Sequence, residues 1–219
     1  MKSLTLHRPP AAEVRKFLVR FYLIGMAGYM LPWTKPLFVA ITPLSLLFTT
    51  GLLALYHGPF SRKELSIFAI IFLLGFGIEA VGVNSGLIFG HYHYGESLGP
   101  KLFRTPLLIG INWLFLSYCV TVLSHRIGSH TALRWVLAPS LMVAYDLLLE
   151  QIAPQWDMWY WEGGTVPINN YVAWWVVALL FTAPLHRLLS RKSNPVAIPL
   201  FVCQFLFFAA ITLYNAWVT

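Results

Sequence analysis

Three carboxylates fall where a membrane-type sequence should not carry them. The chain has only 8 acidic residues, and Glu79, Asp146 and Glu150 each lie inside a long apolar run. A carboxylate at the centre of a spanning helix costs roughly 2.5 kcal/mol or more, so each is read as functional by default. Asp146 and Glu150 are four residues apart and lie one above the other on a single helix face. As anions they repel, and burial disfavours charge further. A carboxyl that keeps its proton at neutral pH is what a general acid requires. The structural alternative is a hydrogen-bonded network between helices.

Glu79 belongs to the densest stretch of unusual residues, GFGIEAVGVNSGLIFGHYHYGESLGPKLFR at 75–104. Gly82, Gly86 and Gly90 recur every four residues on nearly the Glu79 face. That spacing suits close helix packing, and it also makes room for a slender ligand. His91 and His93 share a side if the segment is extended and can then ligate a metal. No cysteine accompanies them, so hydrogen bonding at the membrane surface is the better reading, and no metal is assigned. Lys101 reads as an interfacial anchor. Further on, Asp157 sits among Trp156, Trp159 and Trp161. An indole-rich segment is first an aromatic belt, but indole faces also stabilise a desolvated cation by ~1–2 kcal/mol each and line apolar pockets. Asn169 and Asn170 follow Pro167, where either can cap a helix.

The elements that must position these groups are membrane helices. The 219 residues are 58% hydrophobic and 11% charged, which marks an integral membrane protein. The net charge of +7 is spread over short loops rather than gathered on one soluble face, which argues against nucleic acid as a partner. Cys119 and Cys203 lie in apolar runs and suggest neither a disulfide framework nor a metal knuckle. Residues 1–16 read as a short basic lead. The first apolar run is followed by six more and shows no small-residue cleavage site, so it reads as an anchor. The runs fall at 17–33, 37–56, 65–90, 106–124, 134–153, 171–189 and 196–217, near the ~20 residues that cross a bilayer. The expectation is all-α: a polytopic bundle of seven transmembrane helices, forming one domain over 17–219. Prolines at 36, 59, 106, 154, 167 and 195 mark boundaries, whereas Pro43, Pro139 and Pro184 lie in or near helices and are candidates for kinks.

Orientation follows from the basic residues. Lys2, Arg8, Arg15, Lys16, Arg20, Arg62, Lys63, Arg126, Arg134, Arg187, Arg191 and Lys192 share one side, against Lys35, Lys101 and Arg104 on the other. The positive-inside rule puts the N-terminus in the cytoplasm and the C-terminus outside, in a multi-pass cell-membrane protein. The 91–105 and 154–170 loops then lie on one non-cytoplasmic face. Glu79, eleven residues before Gly90, should lie roughly 16 Å below that end of its helix. Asn112, Asp146 and Glu150 occupy the same half. Intramembrane polar groups face the bundle interior, so these residues can share a cavity. Seven helices invite comparison with retinal proteins, but residues 196–217 contain no lysine for a Schiff base. Phosphate-loop, dinucleotide, HExxH and GxSxG signatures do not occur, and no cofactor is expected.

The run Glu79-Ala-x-Gly82-Val83-x-Ser85-Gly86-x-x-Phe89-Gly90-x-Tyr92-x-Tyr94-Gly95-x-x-Leu98-Gly99-Pro100-Lys101-Leu102 strongly resembles the signature of the carotenoid 1',2'-hydratases of the membrane carotenoid biosynthesis family. Asn112-Trp113, Asp146-x-x-x-Glu150, Asp157-x-Trp159-x-Trp161 and Pro167-x-x-Asn170-Tyr171-x-x-Trp174 resemble the remaining blocks in order, over residues 75 to 175. Ser85 stands where Thr is expected and keeps the hydroxyl. Gln151 stands where Pro is expected, which bears on the exit of that helix.

The resemblance implies addition of water across the terminal C1',C2' double bond of an acyclic (ψ) carotenoid end, giving a tertiary alcohol. That chemistry protonates one alkene carbon and captures the tertiary cation with water. It needs an acid (Asp146 or Glu79), aromatic faces for the cation, and a second carboxylate (Glu150 or Asp157) that holds water with Asn112. Trp113, Tyr92, Tyr94, Trp159, Trp161, Gly82, Gly86 and Asn170 would line the substrate site, with Ser85, His91, His93 and Lys101 as polar support. The expected partners are a carotenoid polyene, water and the lipid bilayer, with association with other carotenoid enzymes or a second copy left open. Three alternatives stand beside this reading. A membrane lycopene cyclase uses the same proton-initiated start, a proton-coupled transporter or channel would use the acids as a relay, and a carotenoid-binding protein would do no chemistry.

Overall fold

The structure, a computed structural model, describes residues 8–189 and 193–218. Lys2, Arg191 and Lys192 of the charge count, and residues 1–7 of the expected basic lead, lie outside the described residues. Within them the chain forms α1 (Ala11–Met30), α2 (Lys35–Ala40), α3 (Thr42–His57), α4 (Arg62–Ser85), α5 (Leu108–Ile127), α6 (Thr131–Glu150), α7 (Ile168–Leu188) and α8 (Ala197–Val218). Helix α1 therefore begins inside the stretch read as a lead.

Five of these helices, α4 to α8, are long and apolar enough to cross a membrane, against an expected seven. Helix α1 carries Glu13, Arg15, Lys16 and Arg20 in its first half. The run at 37–56 is not one helix. Pro43 has no N–H to give a preceding turn and sits in the first turn of a new helix, so the run splits into six-residue α2 and 16-residue α3. Pro139 and Pro184, in contrast, lie inside the continuous helices α6 and α7.

Helix α5 is the axis of the bundle. It packs against α3, α4, α6, α7 and α8, and 67% of its apolar window is buried, compared with 28–39% for the other four. Leu73, Leu74, Leu180, Leu206 and Leu213 on the surrounding helices are exposed, as suits side chains that face lipid. At one end His57 Nδ1 lies 2.8 Å from the Tyr118 hydroxyl, and Asn194 donates to both Tyr118 and the Leu53 carbonyl. These contacts tie the α3 end to α5 and to the start of α8.

At the opposite end, long connections fold over the helices, which an all-helical expectation omits. Strand β1 (Tyr92–Tyr94) pairs antiparallel with β4 (Trp159–Trp161), in the register Tyr92↔Trp161, His93↔Tyr160, Tyr94↔Trp159. A second small pair joins β2 (Lys101–Leu102) to β3 (Thr105–Pro106). Aromatic side chains favour a pleated surface, and period-two alternation points Tyr92, Tyr94 and Trp159 inward while His93 is exposed. The β1–β4 ribbon is a lid over the bundle.

Candidate active site

Helix α4 starts with a capping box, in which Ser61 Oγ accepts from the Glu64 N–H and the Glu64 carboxylate accepts from the Ser61 N–H. It ends at Ser85, five residues earlier than the apolar run suggests. Gly86 adopts a left-handed φ of 69° and its N–H bonds the Gly82 carbonyl at 2.8 Å, a helix stop that glycine makes at little cost. Glu79 is thus six residues from the helix end, roughly 9 Å rather than 16 Å. The three glycines do not form one helix stripe. Gly82 makes room for the Phe89 ring, whereas His91 lies against Gly86.

The lid and four helices converge on the acids. Tyr92 and Tyr94 donate their hydroxyls to Glu79 Oε2 at 2.6 and 2.8 Å, and Trp113 Nε1 donates to Oε1 at 3.0 Å. Trp159 and Trp161 donate their indole N–H groups to Glu150 Oε2 at 3.0 and 2.7 Å. Asn170 does not cap α7, whose N-cap is Pro167. It lies in the first turn, and its amide nitrogen bridges Asp146 Oδ2 at 2.9 Å and Glu150 Oε1 at 3.4 Å. The remaining oxygen, Asp146 Oδ1, is buried without a hydrogen-bond partner among the described residues. Glu79, Asp146 and Glu150 are all buried.

These groups surround one chamber of about 30 Å³. It is lined by Glu79, Tyr92, Tyr94, Asn112, Trp113, Asp146, Glu150, Trp159, Trp161 and Asn170, all singled out from the sequence, and by Phe89, Ile109, Leu149 and Trp174, which the sequence reading does not assign to the site. The Trp113 and Trp174 rings lie 4.3 Å apart. The sequence signal for Trp174 is its place one helical turn after Asn170 on α7. Such a volume holds about one or two water molecules. It does not hold the length of a hydrocarbon chain.

Other sequence candidates lie outside the chamber. Ser85 Oγ bonds back to the Val81 carbonyl. His93 stacks on Tyr160 with ring centroids 5.4 Å apart. Lys101 Nζ bonds the Tyr94 carbonyl at 3.0 Å and Glu96 at 2.8 Å, bracing β1 from outside.

Asp157 is also outside, at an exposed left-handed turn with φ 53°. It latches the lid: Oδ2 accepts from the Glu96 N–H and Oδ1 from the Tyr160 hydroxyl, each at 2.8 Å. Gly95 is required here, since a Cβ would come within 2.2 Å of the Asp157 carbonyl. The Glu96 N–H, then Tyr160, hold the Asp157 carboxyl below its usual range. A value depressed on folding means that the latch is at full strength above the unfolded value, near 4, and is lost as pH falls through the folded one. Protection factors of the 95–97 amides should therefore drop on acidification below about pH 4, and Asp157→Asn, which tolerates the left-handed turn, should flatten that dependence. An unchanged acid response in the variant would remove Asp157 from this role.

Residues 41–219 match the family described as carotenoid biosynthesis protein. A bisanhydrobacterioruberin hydratase of Haloarcula japonica is 30% identical over 148 residues, covering 60% of this chain and 48% of that protein. The chain thus spans about half the length of the curated relative it matches. No solved structure matches. The family match runs from the α2–α3 break through α8 and includes each acid of the chamber and both strands of the lid. The chain belongs to the carotenoid biosynthesis protein family.

Proposed function

We propose that this protein is a carotenoid hydratase, adding water across the terminal double bond of an acyclic carotenoid end without a cofactor. The observation that carries the reading is the unequal supply of donors to three buried acids. Glu79 accepts three hydrogen bonds. Glu150 accepts two indole N–H groups and a share of Asn170. Donors to a carboxylate favour its charged form, and these two carboxyls are the well-supplied ones. Asp146 has only the other share of Asn170, and its Oδ1 has no partner among the described residues. Asp146 is therefore the acid of the proposed reaction.

In the reaction Asp146 Oδ1 gives its proton to C2, the alkene π electrons form the new C–H bond, and a tertiary cation is left at C1. The Glu79 and Glu150 carboxylates and the faces of Trp113, Trp159 and Trp174 stabilise that cation. A chamber water adds through oxygen to C1, and its surplus proton passes to the Asp146–Glu150 pair, restoring the acid. The product is a tertiary alcohol and nothing is oxidised or reduced. The excess of basic residues at the end opposite the lid supports a cytoplasmic-membrane protein with the lid outside.

Expression in a host that accumulates an acyclic carotene tests this. The pigment should gain the mass of one water per modified end. An isomer of unchanged mass would mean that an internal alkene captures the cation, as in a cyclase. Unmodified pigment would overturn the enzymatic reading.

A further inference from the structure

A second, much larger cavity of about 540 Å³ adjoins the chamber. The two share Ile109, Asn112, Leu149 and Trp159, which form the partition between them. Along α1 the cavity is lined from Phe17 to Tyr29, a length of roughly 18 Å at 1.5 Å per residue. Its walls are mostly apolar. Aromatic rings bridge α1 and α3 beside the cavity: Phe48 lies 5.9 Å from Phe17 and 5.7 Å from Phe21 between ring centroids. Phe17 and Phe48 are each 44% exposed.

We infer that this cavity is the binding site for the polyene chain, entered sideways from the bilayer between α1 and α3, with the reactive end passing between Ile109, Asn112, Leu149 and Trp159 into the acid chamber. The inference rests on the hydratase reading for the identity of the chain. Three observations converge on it. The chamber has room for water beside the reacting tip but not for the length of the chain. The cavity has the length and apolar lining of a rod-like chain. Its inner end abuts the acid chamber across four shared residues. Helix α1 precedes the matched residues 41–219, so the wall that gauges the chain lies outside the part of the sequence matched to the family. Substitutions on α1 should therefore change which chains are accepted without touching the acids.

The test is retention of lycopene, as probe, by the purified full chain in lipid nanodiscs, read from visible absorption per protein. Ser45 on α3 and Gly25 on α1 both line the cavity. A Cβ at Gly25 would meet Phe207 at an ordinary 3.4 Å. Ser45→Trp and Gly25→Leu should each lower retention at least ~10-fold while still eluting as folded protein. Leu44→Trp, at a lipid-facing position 63% exposed, should not. Asp146→Asn should retain the polyene while making no alcohol. Wild-type retention in both filled variants would overturn the inference, as would phospholipid that lycopene fails to displace. If the filled variants lose polyene but the wild type yields no hydrated product, the cavity assignment stands and the hydratase reading falls.

Discussion

Asp146→Asn should lower the hydrated product by ~10²–10⁴-fold, the usual worth of a positioned general acid, with protein level and thermal midpoint close to wild type. The prediction is sharp because the substitution changes so little else. The amide oxygen can still accept from Asn170 where Asp146 Oδ2 does, at 2.9 Å, and the amide nitrogen takes the place of Oδ1, which has no partner among the described residues to lose. What disappears is a proton acidic enough to reach an alkene carbon. Carotenoid extraction and mass analysis in an acyclic-carotene host, with the protein quantified in membranes, is the measurement. Wild-type amounts of alcohol from the variant would place the acid elsewhere. Glu79 could not simply replace it, since both of its oxygens already accept hydrogen bonds.

The acids are recognisable in the sequence because charge in an apolar run stands out, and the four-residue spacing of Asp146 and Glu150 is enough to put them on one helix face. Their partners are harder to assign. Tyr92 and Trp161 meet only because two connections far apart in the chain pair as strands, and nothing local sets that register. The alternation Tyr-His-Tyr against Trp-Tyr-Trp is the available hint. Asp157 is misplaced by sequence reasoning for a related reason. Its neighbours in sequence are indoles of the chamber, but it stands at a left-handed turn before β4, and there its side chain leaves the bundle. Gly86 and Gly90 keep the spacing of a helix face that the chain has already left. The lateral cavity is out of reach altogether, because it depends on how far α1 and α3 splay rather than on any residue pattern.

Glu79→Gln should abolish product and also lower stability, and the two losses can be separated. The Glu79 carboxylate takes three donors, from Tyr92, Tyr94 and Trp113, in a buried site. A carboxamide keeps one acceptor oxygen and brings an NH2 group that meets donors, so at least one of the three is left unpaired, at a cost of about 1–3 kcal/mol. In the proposed mechanism the same change also removes the carboxylate that would stabilise the C1 cation, in a site where such fixed charge counts for most. Trp113→Phe isolates the first effect, since it deletes one donor and leaves the charge. The expected pattern is a lowered thermal midpoint in both variants, with at least ~10²-fold loss of product in Glu79→Gln and no more than ~10-fold in Trp113→Phe. If Glu79→Gln is destabilised but makes alcohol at the wild-type rate, Glu79 only anchors the lid. Stabilisation of the cation would then fall to Glu150 and the indole faces.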